Sequence, residues 1–175
     1  MSTTSTYAAR LLADGRVSWT RALVTLATAV ALLVSLTTPV VWLHQPAVPE
    51  ANLPTMNLDF ADLHDFSSMP GSPGLQEAYF SWLAWLLVVA TIVVAIAWSL
   101  TFGRSGRAVA GLLAVLAAAG LIVTTLAIKG DMSWSWLGDQ LKNIRIGGYL
   151  LLVSYAVLLV FAFVARDRAQ VPSKE

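Results

Sequence analysis

The chain has 175 residues, of which 57% are hydrophobic and 12% charged, and its formal net charge at pH 7 is +1. Soluble domains carry roughly 25% charged residues, so this composition excludes a water-soluble globule, a disordered tail and a nucleic-acid-binding protein. The absence of cysteine also excludes disulfide frameworks, thiolate metal sites and iron–sulfur clusters.

Four apolar segments account for the hydrophobic excess, and they comprise residues 22–43, 79–102, 108–128 and 146–164. Each is close to the roughly 20 residues that a helix needs to cross a hydrocarbon layer of about 30 Å. The sequence therefore predicts an all-α membrane protein, a four-transmembrane-helix bundle with short extracytoplasmic amphipathic helices. No Asp, Glu, Lys, Arg or His lies in these segments, which argues against a pump, a proton-coupled transporter and an intramembrane hydrolase.

Residues 1–21 are predicted to be a cytoplasmic segment that precedes the first span. Its three arginines are also typical of a signal peptide, but the apolar run 22–43 is longer than a signal peptide requires, and no small-residue cleavage site closes it. We therefore expect a retained span. Pro39 lies near the end of this span and predicts either the end of the helix or a kink, because proline has no N–H to donate.

The polar segments on the two sides of the predicted membrane differ in charge. Residues 1–21, the turn 103–107 and the tail 165–175 hold eight Lys or Arg and three Asp or Glu, whereas the loops 44–78 and 129–145 hold three and seven. Because Lys and Arg in short loops stay in the cytoplasm, the sequence predicts a multi-pass plasma-membrane protein with both termini in the cytoplasm and both loops outside.

Aromatic side chains near the predicted membrane boundaries are interpreted as interfacial anchors, because their rings are apolar and their N–H or O–H groups stay hydrated. A role in stacking on a ligand is the alternative. These residues are Trp19, Trp42, Tyr79, Trp82, Trp98, Phe102, Trp134, Trp136 and Tyr149.

The first predicted loop, residues 44–78, contains a candidate amphipathic helix and a candidate metal site. Phe60, Leu63 and Phe66 recur at helical spacing, which favours a short helix lying on the membrane surface. The carboxylates and the histidine of the same stretch permit two interpretations, a solvated acidic face or a site for zinc or manganese. The metal-ligand candidates are Asp59, Asp62, His64 and Asp65.

The second predicted loop, residues 129–145, has the pattern of an amphipathic helix. Apolar side chains recur at helical spacing from Trp134 to Ile144, and Asp131 and Ser133 are candidates for the N-cap. The two loops are expected to pack together and to present an aromatic and acidic surface to a protein partner. The predicted partner-binding residues are Phe60, Leu63, Phe66, Trp134, Trp136, Leu137 and Leu141.

Small residues four positions apart mark faces on which membrane helices can approach one another closely. The third span shows this pattern at Gly106, Ala110, Ala114 and Ala118, which are the predicted helix-packing residues. Similar stripes in the first two spans favour a compact core formed by spans one to three, with the fourth span at the edge.

The layout resembles that of the small four-span membrane proteins common in actinobacteria. The shared features are a long first outer loop, an arginine-containing turn and a last span that opens with Gly147-Gly148-Tyr149-Leu150. The outline also resembles claudin-like tetraspan proteins. However, that family's Gly-Leu-Trp signature with paired cysteines is absent here, so its junction-forming role is not implied. The resemblance implies a membrane bundle and supplies no catalytic residues.

These features favour a non-enzymatic accessory or scaffold subunit of a larger plasma-membrane complex, in cell-envelope biogenesis or respiration, which contacts its partner through the extracytoplasmic loops. Two alternatives stay open. One is a small transporter or lipid-handling protein with a cavity lined by hydroxyls and tryptophan, and the other is an extracytoplasmic sensor whose acidic loop responds to cations or pH. No cofactor is expected, and the expected partners are the lipid bilayer and a membrane protein.

Overall fold

The computed structural model of the protein describes residues 19–37, 39–47, 49, 54–101 and 103–168. Most of the predicted cytoplasmic segment 1–21, and the end of the predicted tail 165–175, lie outside these described residues. The helices are α1 (Trp19–Thr37), α2 (Phe60–Ser67), α3 (Gly74–Leu100), α4 (Gly103–Lys129), α5 (Trp134–Gln140) and α6 (Ile146–Arg168). Strands β1 (Leu43–Gln45) and β2 (Met56–Leu58) form an antiparallel hairpin.

Four of these helices, α1, α3, α4 and α6, are long and apolar enough to cross a membrane. Their outward surfaces carry large apolar side chains, of which Val93, Val115 and Val160 are each more than half exposed. Hydroxyl groups face inward instead. The buried ones include Thr25, Thr28, Ser35, Thr91, Thr124 and Ser154. An apolar exterior around an interior that holds polar groups suits lipid rather than water. A mostly helical chain with four helices of membrane-spanning character is thus confirmed.

The four long helices are arranged in the ring α1–α3–α4–α6, so that α1 and α4 lie at opposite corners. Successive spans alternate in direction, and every neighbouring pair in this ring is therefore antiparallel. The predicted core of spans one to three with the fourth at the edge is wrong, because α6 packs extensively on both α4 and α1. The physical reason is that a small residue on α4 packs against a large side chain on α6. Gly120 of α4 lies directly against the ring of Tyr155 on α6, so the small residues of α4 receive a bulky partner.

The four predicted packing residues of α4 differ in how deeply they are buried. Gly106 and Ala110 are buried, whereas Ala114 and Ala118 are only partly buried. An α-helix has 3.6 residues per turn, so a row spaced strictly by four residues drifts away from the contact face. The buried face instead continues through Leu113, Ala117, Gly120, Thr124 and Ala127.

The ends of the spans also differ from the predicted boundaries. Helix α1 stops at Thr37 rather than at residue 43, because Pro39 cannot continue the hydrogen-bond ladder. The predicted kink is therefore absent from α1, and the predicted helix end is confirmed. Residues 103–107, predicted as a turn, form the start of α4. A Cβ at Gly106 would lie 2.9 Å from the carbonyl oxygen of Thr101, so glycine permits this tight junction between α3 and α4.

Candidate functional site at the loop end of the bundle

The bundle carries its longer connections, residues 39–73 and 130–145, at one end, which we call the loop end; the opposite end, where α3 joins α4, is the turn end. Trp42 lies at the centre of the loop end and is 2% exposed. Its Nε1–H donates a hydrogen bond of 2.6 Å to the carbonyl oxygen of Ser35, which is one of the carbonyls that the end of α1 leaves without a helical partner. The indole ring also packs against Phe60 and Phe80, at centroid distances of 5.3 and 6.1 Å.

Main-chain hydrogen bonds connect the Trp42 segment to both loops. The Trp42 N–H donates to Leu58 O at 2.7 Å, and Trp42 O accepts from the Arg145 N–H at 2.8 Å. The Gly147 N–H, in the first turn of α6, donates to Val41 O at 2.9 Å. The expected packing of the two loops against each other is therefore confirmed.

Glycines at the start of α6 make this close approach possible. A Cβ added to Gly147 would overlap the Trp42 indole, and one added to Gly148 would lie 2.8 Å from Ile144 Cγ2. Sequence reasoning interpreted Gly147 and Gly148 as part of a resemblance, Gly148 also as a small residue of the fourth span, and Trp42 as an anchor. The sequence signal that could have indicated this contact is the pair of adjacent glycines at the start of α6, which leaves room for a bulky side chain.

A cavity of about 120 Å³ lies beside Trp42. Its walls come from the hairpin, α2, the first turns of α3, the end of α4 and the residues around α5. The residues that define it best are Trp42, Leu63, Phe80, Trp136, Ile144 and the polar Gln76. Of these, Gln76 was not identified from the sequence.

The predicted partner-binding residues fall into three groups. Phe60 is 5% exposed and Leu137 is 8% exposed, so in this structure both side chains pack inside the chain rather than on its surface. Leu63 and Trp136 are partly buried and line the cavity. The exposed members of the set are Phe66, Trp134 and Leu141.

The apolar face predicted for the second loop is not continuous, because the helix changes its geometry at Gln140. Helix α5 ends at Gln140, and the chain continues as a tighter 3-10 turn over Leu141–Asn143. The change in residues per turn separates the exposed Leu141 from Ile144, which is 3% exposed and bridges to β1. Ser133 does cap α5, since its side chain accepts a hydrogen bond from the Trp136 N–H.

The aromatic residues predicted as anchors also separate by burial. Trp42, Tyr79 and Trp98 are at most 2% exposed and therefore are not anchors in contact with headgroups, whereas Trp19, Trp82, Trp134 and Tyr149 are well exposed. Tyr79 hydrogen-bonds to Thr124 of α4 at 2.7 Å. Trp98, at the turn end, has the Arg21 guanidinium 5.1 Å above its ring. Phe102 lies outside the described residues.

The acidic cluster of α2 acts as a helix cap. The Asp59 side chain accepts from the Asp62 N–H at 2.9 Å, and the Asp62 side chain accepts from the Asp59 N–H at 3.0 Å, which completes a capping box. His64 Nδ1 and Asp65 Oδ1 form an exposed pair at 3.2 Å. Within the described residues, no three His, Cys, Asp or Glu side chains converge to hold a metal ion.

Replacing Asp59 with alanine is expected to destabilise α2 by about 1 kcal/mol, the usual loss for an N-cap. Faster amide hydrogen exchange within Phe60–Ser67 measures this loss. The matched control is Asp65→Ala, which removes an exposed partner of His64 and is expected to change exchange little. Equal effects of both substitutions would contradict the capping role.

No protein-family model, curated protein or solved structure matches this chain. Over the residues that the structure describes, it is a mostly helical bundle in which four helices are long and apolar enough to cross a membrane, with a hairpin and two short helices at one end.

Proposed function

We propose that the chain is a non-enzymatic accessory or scaffold subunit of a larger plasma-membrane complex, of the cell envelope or of respiration, and that it docks a membrane-protein partner through the loop end. The observation that carries the proposal is the surface of α2 and the turn after it. There Phe66 and Met69 are 41% and 53% exposed, next to the exposed carboxylates of Asp62 and Asp65.

Two properties make this surface suitable for docking. It is well supported, because Phe60 in the first turn of α2 is buried and packs against Trp42, Phe80 and Trp85. Its chemistry combines large apolar side chains with negative charge, which favours a partner that offers an apolar pocket with a basic rim.

The residues inside the bundle favour a non-enzymatic role. Two hydrogen bonds of buried hydroxyl groups join neighbouring helices, the Tyr79–Thr124 bond and the bond of 3.3 Å from Thr25 to Ala95 O. Other buried hydroxyls, such as those of Thr28 and Ser154, bond to carbonyls of their own helix. Such bonds between spans stabilise a membrane bundle. No ionisable Asp, Glu, Lys, Arg or His side chain occurs in the predicted spans to act as an acid, a base or an ion ligand.

Phe66→Ser is expected to lower recovery of the partner about tenfold or more after purification in mild detergent, because exposed aromatic residues at an interface dominate its affinity. Ser68→Ala, at an exposed neighbour, is the matched control and should leave recovery unchanged. A stoichiometric partner that tolerates Phe66→Ser would contradict docking through α2. A chain that purifies alone under every mild condition would contradict the scaffold role itself.

The proposed orientation places the loop end outside the cell and the turn end in the cytoplasm, as the excess of Lys and Arg at the turn end favours. The chain has no cysteine, so single cysteines report orientation cleanly. A membrane-impermeant maleimide is expected to label Ser68→Cys in intact cells and Ser105→Cys only after permeabilisation; both positions are exposed. The reverse result would invert the topology.

A further inference from the structure

We propose that the cavity at the loop end binds the hydrocarbon chain of a lipid that carries a hydroxyl group, with Gln76 Oε1 as the acceptor for that hydroxyl. This site does not rest on the proposed scaffold role, because its ligand is a small amphipathic molecule rather than a protein.

The size and walls of the cavity select a hydrocarbon. Its volume is about 120 Å³ and it is partly open to the surface; an engineered, enclosed apolar cavity of roughly 150 Å³ binds benzene, so the volume suits a small hydrocarbon group. The walls are mostly aromatic and branched aliphatic side chains, including Trp42, Phe80, Trp136 and Ile144. The cavity therefore admits a short stretch of alkyl chain or one branched isoprenoid unit, and it is far too small for a helix or strand of another protein.

Three of the residues that line the cavity are held in place by contacts elsewhere in the protein, and the cavity could close only if these contacts were lost. Trp42 is fixed by its bond to Ser35 O. Phe80 packs edge-on against Tyr79 at 5.1 Å. Ile144 is fixed by its backbone bridge to Leu43. Because the cost of an empty apolar cavity depends on how far its surroundings can relax, a rigid lining favours a bound apolar group.

Gln76 supplies the polar part of the site. Its Nε2 donates to Ala127 O at 2.8 Å, and since a carbonyl oxygen accepts only from the NH₂ group of the amide, this bond fixes which end of the amide is Oε1. Gly130, with φ of +54°, leaves room for the amide, since a Cβ there would lie 2.7 Å from Nε2. Gln76 lines the cavity, and with Nε2 occupied by Ala127 O the part of the amide that remains to accept a ligand hydroxyl is Oε1.

The location favours a lipid as the source of that hydrocarbon. Phe80 and Ile128 belong to α3 and α4, near the ends of two candidate membrane spans. The cavity thus lies at the level where hydrocarbon chains meet polar headgroups, which is where a lipid alcohol places its hydroxyl beside the start of its chain.

The test uses the full chain in phosphatidylcholine nanodiscs and a hexan-1-ol probe that carries a photoreactive diazirine near its methyl end. After illumination, mass spectrometry is expected to locate the label on peptides that contain Trp42, Leu63 or Ile144, and excess hexan-1-ol should compete it away. Ala127→Leu enlarges a residue that lines the cavity and should lower this labelling at least tenfold. Ala108→Leu, the same change at an exposed position of α4, should leave it unchanged.

A second comparison tests the hydroxyl and does not depend on how Ala127→Leu folds. Gln76→Met should weaken binding of the alcohol probe about fivefold, as expected for loss of one hydrogen bond, and should leave binding of the matching alkane probe unchanged. Labelling that excess hexan-1-ol cannot compete, or that covers the lipid-facing helix surfaces evenly, would overturn the site. Loss of partner recovery in Ala127→Leu without competable labelling would assign the cavity to a partner side chain and would also overturn it.

Discussion

Gly147→Ala is expected to lower the free energy of unfolding by about 3 kcal/mol, at the upper end of the range for overpacking in a filled interior. The new methyl group would overlap the indole of Trp42 and lie 3.0 Å from Val40 O. The indole cannot move aside without losing its bond to Ser35 O and its contacts with Phe60 and Phe80. Denaturation in detergent measures the effect.

Gly111→Ala is the matched control, because it makes the same change inside a spanning helix where nothing lies within 4 Å of the new Cβ. At such a position alanine is expected to stabilise by roughly 0.5–1 kcal/mol, since it restricts the unfolded chain. The two substitutions should therefore change stability in opposite directions. Similar small effects of both would contradict the tight packing of Trp42 on α6.

Gly120→Ala is expected to separate α4 from α6 and to destabilise the bundle by about 2–3 kcal/mol. A Cβ at this position would lie 2.5 Å from the Tyr155 ring, which is 1% exposed. In a membrane, close van der Waals packing rather than burial from water holds helices together, so a separation of these two backbones removes much of their attraction.

A double-mutant cycle with Tyr155→Leu tests whether this ring is the cause. Tyr155→Leu alone is expected to destabilise the protein, since it leaves a void beside Gly120. Adding Gly120→Ala to that background should cost little or restore stability, which gives a coupling free energy of about 1–3 kcal/mol. Strictly additive effects would mean that Gly120 and Tyr155 do not depend on each other.

The four spans follow from the sequence, because length and hydropathy alone decide whether a helix can cross a bilayer. Their order around the bundle does not, since small residues are spaced suitably for helix packing in more than one span. Only the fit of Gly120 to Tyr155 shows which face of α4 meets α6. The early end of α1 could be anticipated from Pro39, which removes a hydrogen-bond donor wherever it stands.

Less of the candidate site than of the membrane spans could be predicted from the sequence. Asp59 and Asp62 have the spacing of a capping box as well as that of a metal-binding pair, and the local pattern alone does not separate the two. The burial of Trp42 depends on Gly147, more than 100 residues away in the chain. An aromatic residue at a span boundary is usually an anchor, so only the tertiary contact identifies Trp42 as part of the interior.

The main-chain bonds from Arg145 and Gly147 to the Trp42 segment have a consequence for biosynthesis. During translation α1 enters the bilayer long before α6 has been made. Until Arg145 and Gly147 have been made, Trp42 O and Val41 O lack their hydrogen-bond donors, and the Trp42 indole is not covered by the start of α6. Assembly of the loop end is therefore completed only after Arg145 and Gly147 have been made, and a chain interrupted before them would expose unpaired backbone groups to membrane proteases.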